Sequence, residues 1–159
     1  MTLYATAGAK LYIGSAITLT GDDLTEADFT GETWVEIKQP ESLGSIGDTA
    51  QELPFDDIGV GRTKRLKGQR SAGTMEVVCG IDYADPGQVA LHAAEKADDD
   101  FAFRLVFDDA PSGGTPSERL FAAMVGGASE QFDTANNVMK LNASLWVNSN
   151  VVRVDAAGA

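Results

Sequence analysis

Apolar and polar residues alternate with a period of two along much of the chain, which is the signature of strands with one face buried. The clearest run is Phe101-Ala-Phe-Arg-Leu-Val-Phe107, where Phe101, Phe103, Leu105 and Phe107 share a face. Arg104 points the other way, towards solvent or a neighbouring subunit. Thr74 to Ile81 repeats the pattern through Met75, Val77, Cys79 and Ile81, and Asn137 to Val147 does so through Met139, Leu141, Ala143, Leu145 and Val147. Such half-buried runs predict an antiparallel sheet, because strands covered on both faces read as longer apolar stretches. Asn148-Ser149-Asn150 is a turn, and Val151 to Val154 returns as the last strand. Trp34 to Lys38, Leu3 to Ile13 and Arg119 to Val125 are further strands.

One segment changes period. Asp85-Pro86-Gly87-Gln88 sets a capping carboxylate before a first-turn proline, with Gln88 at the capping-box position. A helix over about residues 86–98 follows, with Val89, Ala93 and Ala97 in line and Ala90 and Ala94 beside them. Its small side chains allow a close approach to a sheet. Asp98-Asp99-Asp100 ends it, since three acids oppose the negative end of the helix dipole.

From Gln39 to Gly73 alternation fades. A structureless loop of that length is uncommon in a compact domain. Either it contains short strands or it is an arm that becomes ordered on a partner. Charge favours the arm: Arg62, Lys64, Arg65, Lys67 and Arg70 place five of the twelve basic residues within nine positions. Ala110 to Pro116 is a second mobile loop, and residues 155–159 read as a flexible C-terminal tail too small and polar to pack. Residues 1–154 then form a single domain.

Composition narrows the function more than the fold. The chain has 159 residues, 12 Lys plus Arg against 24 Asp plus Glu, and a formal charge of −12. So acidic a surface does not grip nucleic acid, although it does not prevent a protein from surrounding DNA. One Cys and one His allow neither an internal disulfide nor a Cys/His zinc site, and no cofactor or metal is expected. No stretch approaches eighteen apolar residues and Met1 to Lys10 has no leader pattern, so neither a membrane helix nor a signal peptide is expected. His92 in the helix is read as structural or exposed, and Cys79 as a buried, inert thiol. Gly59-Val-Gly-Arg-Thr-Lys64 has the wrong order for a phosphate loop. The acid pairs Asp22-Asp23, Asp56-Asp57 and Asp108-Asp109, and Asp98 to Asp100, lack calcium-loop spacing and are read as solvated. Residues 59 to 73 hold no aromatic for base stacking. The basic run is therefore best explained as a contact with an acidic surface on another copy of the chain.

Leu66-Lys-Gly-Gln-Arg-Ser-Ala-Gly-Thr-Met-Glu-Val77, followed by Asp82-Tyr-Ala-Asp-Pro-Gly-Gln-Val-Ala-Leu91, resembles the major tail tube protein family of long, non-contractile-tailed bacteriophages. In that family a Gly-containing segment leads into a strand, an Asp-Pro-Gly-Gln run opens the single helix, and an alternating strand follows. The likeness runs from about Trp34 to Val154. It implies a mostly β, antiparallel β-sandwich or barrel-like domain with one flanking helix and a long loop over about residues 39–73. It also implies hexameric rings stacked into a tube that houses the tape-measure protein, meets tail terminator and tail-tip proteins, and passes double-stranded DNA without sequence-specific binding. The location implied is the virion tail, assembled in the host cytoplasm. The loop would reach the neighbouring ring, with Arg62, Lys64, Arg65, Lys67 and Arg70 as its contacts. Family members commonly carry an acid near the position of Arg70 or Ser71, so the basic character here is a departure.

Two other readings share these features. A tail terminator or head–tail connector would form one ring and stop, and a monomeric module would use the basic run to bind a polyanion. An enzyme would have to work with carboxylates alone.

Overall fold

The computed structural model describes residues 2–158. Ten strands and one α-helix follow the chain as β1 (Lys10–Ile17), β2 (Val35–Ile37), β3 (Pro40–Ser42), β4 (Thr49–Asp56), β5 (Thr63–Ser71), β6 (Thr74–Gly80), α1 (Pro86–Lys96), β7 (Asp100–Val106), β8 (Glu118–Gln131), β9 (Lys140–Val147) and β10 (Val152–Val154). Eight of the strands form one antiparallel sheet in the order β2-β1-β7-β8-β9-β6-β3, with β10 added to β8. Strands β2 and β3 stand at opposite ends of this path but are consecutive in the chain. The Lys38-Gln39 link between them, with Gln39 at φ 64°, bridges the two ends of the sheet. The body is accordingly barrel-like, as the resemblance implied.

Strand β8 makes the shape possible. Its first half pairs with β7 and β10, and its second half pairs with β9. The Gly126-Gly127 pair, which ended the predicted strand near Val125, is instead a register shift inside a strand of 14 residues. Trp146 on β9 lies against Gly126 so closely that a Cβ there would sit 2.1 Å from the indole. Glycine at that position lets the ring cross the strand.

The interior contains the faces that alternation selected. Phe103 and Phe121, cross-strand partners on β7 and β8, stack with centroids 5.6 Å apart, and both are fully buried. Met75, Val77 and Cys79 face Leu145, Ala143 and Leu141 in register. A second, smaller cluster forms on the other side of β7 and β8, where Leu24, Phe29, Ala102, Leu120 and Ala122 are buried. Asn150 holds that covering segment by accepting from Leu24 N at 2.7 Å and donating to Leu24 O at 3.0 Å. Arg104 lies on this side of β7, a quarter exposed and flanked by aromatic rings. Its guanidinium lies 4.4 Å from the Tyr12 ring centroid, 5.2 Å from Trp34, and 3.7 Å from Glu118.

The helix begins as the capping residues dictate and turns a different face inward. The Asp85 carboxylate accepts from Gln88 N at 3.2 Å and from Lys38 N at 3.0 Å. Gln88 does not close a capping box. Its side chain is buried, accepts from Asp82 N, and donates to Lys38 O and Gly80 O, clamping the ends of β2 and β6 together. Gly87 sits so near the Glu36 carbonyl that a Cβ would come within 2.2 Å of its oxygen. With the first turn fixed in this way, Leu91 and Ala94 go inward while Val89 and Ala93 face out. Alanines are nearly indifferent to burial, so the one leucine and the anchored first turn decide the rotation.

Other boundaries move for local reasons. Residues 3–9 are not strand: Gly8 takes a positive φ in a turn closed by Ala9 N to Thr6 O. Strand β9 starts at Lys140 rather than Asn137, because Asp133 adopts φ 54° and the turn runs on through Met139. In the expected tail, Ala157 exchanges two backbone hydrogen bonds with Thr115, at 2.8 and 3.2 Å. Backbone pairing needs no large side chain, so small residues suffice there. Met1, in the Met1–Lys10 stretch read as lacking a leader pattern, and Ala159 of the tail lie outside the described residues.

Candidate functional site

The long segment over residues 39–73 is ordered. After β3, which pairs with β6, the chain forms an antiparallel hairpin of β4 and β5 that belongs to no other sheet. Thr49 pairs with Ser71 at its base and Asp56 with Thr63 near its tip. The tip is closed by side chains: Thr63 Oγ1 donates to Asp56 at 2.6 Å, and Asp57 accepts from Gly59 N at 2.8 Å. Gly59 to Lys64 is thus the turn and first residues of a hairpin, with no helix behind it. Alternation failed to reveal these strands because every residue of β4 is exposed, and so is every residue of β5 except the half-buried Gly68. A strand without a buried face has nothing to alternate against.

The hairpin is two-faced nonetheless. Leu53 is directly opposite Leu66, and Phe55 opposite Lys64, so Leu53, Phe55 and Leu66 share one side. They are 46 %, 62 % and 70 % exposed, and Ile58 at the tip is fully so. The other side carries Glu52, Arg65 and Lys67. One extra residue on β5, at Gly68-Gln69 opposite Gln51, resets the alternation and brings Arg70 onto that same side, although it stands three positions from Lys67. Of the five basic residues singled out, the structure brings Arg65, Lys67 and Arg70 together, leaves Lys64 on the apolar side, and places Arg62 in the turn. Arg65 meets Glu52 at 3.0 Å, an exposed pair that contributes little to stability. Arg70 also borders a groove of about 450 Å³ lined by Asp22, Asp23 and Asp48 at the base of the hairpin.

Leu53, Phe55, Ile58 and Leu66 were missed in the sequence. The available signal was the Leu53-x-Phe55 spacing ahead of the Gly59/Gly61 turn, with Leu66 beyond it. An isolated two-stranded hairpin is at best marginally stable, and three large side chains lie bare along one side of this one.

The other side chains with chemical potential lie outside the arm. Cys79 is fully buried, and burial, reinforced by the nearby Asp85 carboxylate, pushes its thiol up to about 11, away from nucleophilic use. His92 Nε2 lies 3.9 Å from Glu130 Oε1, beyond hydrogen-bond range, on the half-exposed side of α1. Several acids serve turns: Asp109 accepts from Ser117 Oγ at 2.6 Å and Ser117 N at 2.8 Å, which holds its carboxyl below the ordinary range. Asp100 accepts from Asn148 at 2.7 Å. Among the described residues no three His, Cys, Asp or Glu side chains converge as metal ligands, and no helix is long and apolar enough to cross a membrane.

No family model matches the sequence, and no curated protein matches it. Solved structures do. A chain of the SPP1 tail tube superposes with a TM-score of 0.67 at 15 % identity, covering 96 % of this chain and 80 % of that one. The fold is that of tail tubes. A chain of the six-fold symmetrised anti-feeding prophage baseplate gives a TM-score of 0.71 at 12 % identity, covering 98 % of both. A chain of the sheath/tube terminator of the PVC extracellular contractile injection system gives 0.68 at 12 % identity, over 97 % of this chain and 98 % of that one. At these identities the likeness is one of fold, and the tail-tube body spans almost all of the present chain.

Proposed function

We propose that this chain is the structural subunit of a phage-type tail tube, polymerising as stacked hexameric rings around a hollow channel. The observation that carries the reading is the hairpin: an ordered arm with an apolar stripe and a basic side, unpartnered within its own chain. Its 23 residues hold five basic and three acidic side chains, a net +2, while the remainder of the chain carries −14. Opposite charge on arm and body favours association between copies and sets its register. A closed ring accounts for the six-fold symmetry of the related baseplate assembly, and a head-to-tail contact between rings extends without limit. In such a tube the acidic body repels DNA phosphates, so a genome passes without being held. Tape-measure, terminator and tail-tip proteins are the partners of that assembly. No catalytic role is assigned.

Negative-stain electron microscopy of the purified protein over a concentration series tests this. Hollow, striated tubes of uniform width are expected. The likeness to a sheath/tube terminator favours one alternative, a single terminal ring. Uniform rings that never lengthen would establish that alternative. Monomers at every concentration, together with saturable binding of a polyanion, would favour a binding module instead.

A further inference from the structure

Strands β6 and β9 pair over their full length, with Thr74 opposite Trp146 at one end and Gly80 opposite Lys140 at the other. The arm enters β6 through Gly73, beside Trp146. The turn over residues 132–139 enters β9 at Lys140, so it stands at the far end of the same strand pair, about 20 Å away at the usual rise per residue. This turn carries bare apolar side chains of its own: Phe132, Val138 and Met139 are 52 %, 70 % and 40 % exposed. It is also acidic. Asp133 lies in it and Glu130 just before it on β8, no basic residue occurs between Arg119 and Lys140, and Lys140 at its other end is paired with Glu41 at 2.9 Å.

We infer that the 132–139 turn is the seat for the β4–β5 arm of a second copy, Phe132, Val138 and Met139 covering Leu53, Phe55 and Leu66. The inference rests on the tube reading and names the partner surface within it. Because the two features occupy opposite ends of one strand pair, a copy displaced along the strand direction presents its turn to the arm of the next. The contact joins unlike surfaces and repeats on every copy, which builds a series and not a closed pair. Charge agrees with shape. Lys64 shares the arm's apolar side, Arg62 is at its tip, and Glu130 and Asp133 flank the seat. The arm is long enough, since eight residues of β4 extend about 25 Å.

Paired cysteines test this, with Cys79 buried and so silent under mild oxidation. The double variant Phe55→Cys/Val138→Cys is expected to give a ladder of covalent multimers running beyond six chains at concentrations where polymer forms, and either single variant no more than dimers. Separately, Val138→Asp, at an exposed position that leaves the core intact, is expected to raise the concentration needed for polymer at least tenfold without changing the thermal midpoint of the monomer. Polymer that forms normally from Val138→Asp, with no ladder from the double variant, overturns the seat and leaves the tube reading standing. Absence of both polymer and ladder at every concentration overturns the two together.

Discussion

The body and the arm are built from the same kinds of residue and put them to opposite use. In the body, Phe103, Phe121, Leu141 and Leu145 lie at or near zero exposure, and backbone groups pair within one continuous sheet. In the arm, Leu53, Phe55 and Leu66 are bare, and both strands have an unpaired edge. The body ends in edge strands of only three residues, β2 and β3, while the hairpin leaves two strands of eight and nine residues with free edges, a surface for pairing or docking. On the proposed function, stability is a property of the body and association a property of the arm. Substitutions should separate along that line.

The largest effect on folding belongs to the core. Phe103→Ala removes one ring of the stacked pair and is expected to cost about 3–5 kcal/mol, read as a lowered midpoint in denaturant titration. The counterpart in the arm, Arg62→Glu/Lys64→Glu/Arg65→Glu, is expected to abolish stacking in electron micrographs while leaving that midpoint in place. A midpoint that moves as far as it does for Phe103→Ala would mean that the arm belongs to the folding unit.

Next comes the junction that positions helix and sheet. Asp85→Ala removes the acceptor for Gln88 N and Lys38 N and is expected to destabilise by about 1–2 kcal/mol, in the range of lost helix caps. Gly87→Ala tests the same junction sterically and should be destabilising as well, because the Glu36 carbonyl occupies the space. Neither is expected to alter arm exposure, which limited proteolysis at Arg62 to Arg65 would report.

A milder effect concerns pH. The Cys79 thiol is raised to about 11 in the folded protein from an ordinary value near 9. A group with a raised folded value stabilises below its unfolded value, and that contribution is lost as pH rises through the folded one. Stability should decline between pH 9 and 11, and Cys79→Ser should flatten that decline. Native Cys79 should resist a thiol reagent at pH 8 and react once unfolded. The smallest effect is expected from Asp109→Asn. Asp109 accepts from Ser117, whose hydroxyl in turn accepts from Ala156 N, so the change should release residues 155–158 to exchange with solvent without moving the global midpoint.

How much could be read in the sequence follows the same division. Where one face is buried, as on β6 and β9, alternation names the inward residues correctly; on β7 it finds Phe103 and Leu105 but misses Ala102, buried on the covered second face. The helix start is legible because Asp85 and Pro86 act locally, yet its inward face is misread: alanines at 90, 93, 94 and 97 give no direction, and Leu91 with the buried Gln88 sets it. The aromatic packing around Arg104 is not legible because the covering segment with Trp34 comes from far along the chain. Strands β4 and β5 are invisible to alternation since neither has an inside within one chain. The basic residues of the site are conspicuous as a run, whereas its apolar stripe emerges only once pairing sets Leu53 against Leu66.

Hydrogen–deuterium exchange, compared between dilute protein and protein concentrated enough to assemble, tests the central claim most directly. Amides of residues 50–70 should exchange within seconds in the dilute sample and slow by at least tenfold on assembly, while β7 and β9 stay equally protected in both. Arm amides already protected in the dilute monomer, or equally unprotected in tubes, would contradict an arm that a second copy completes.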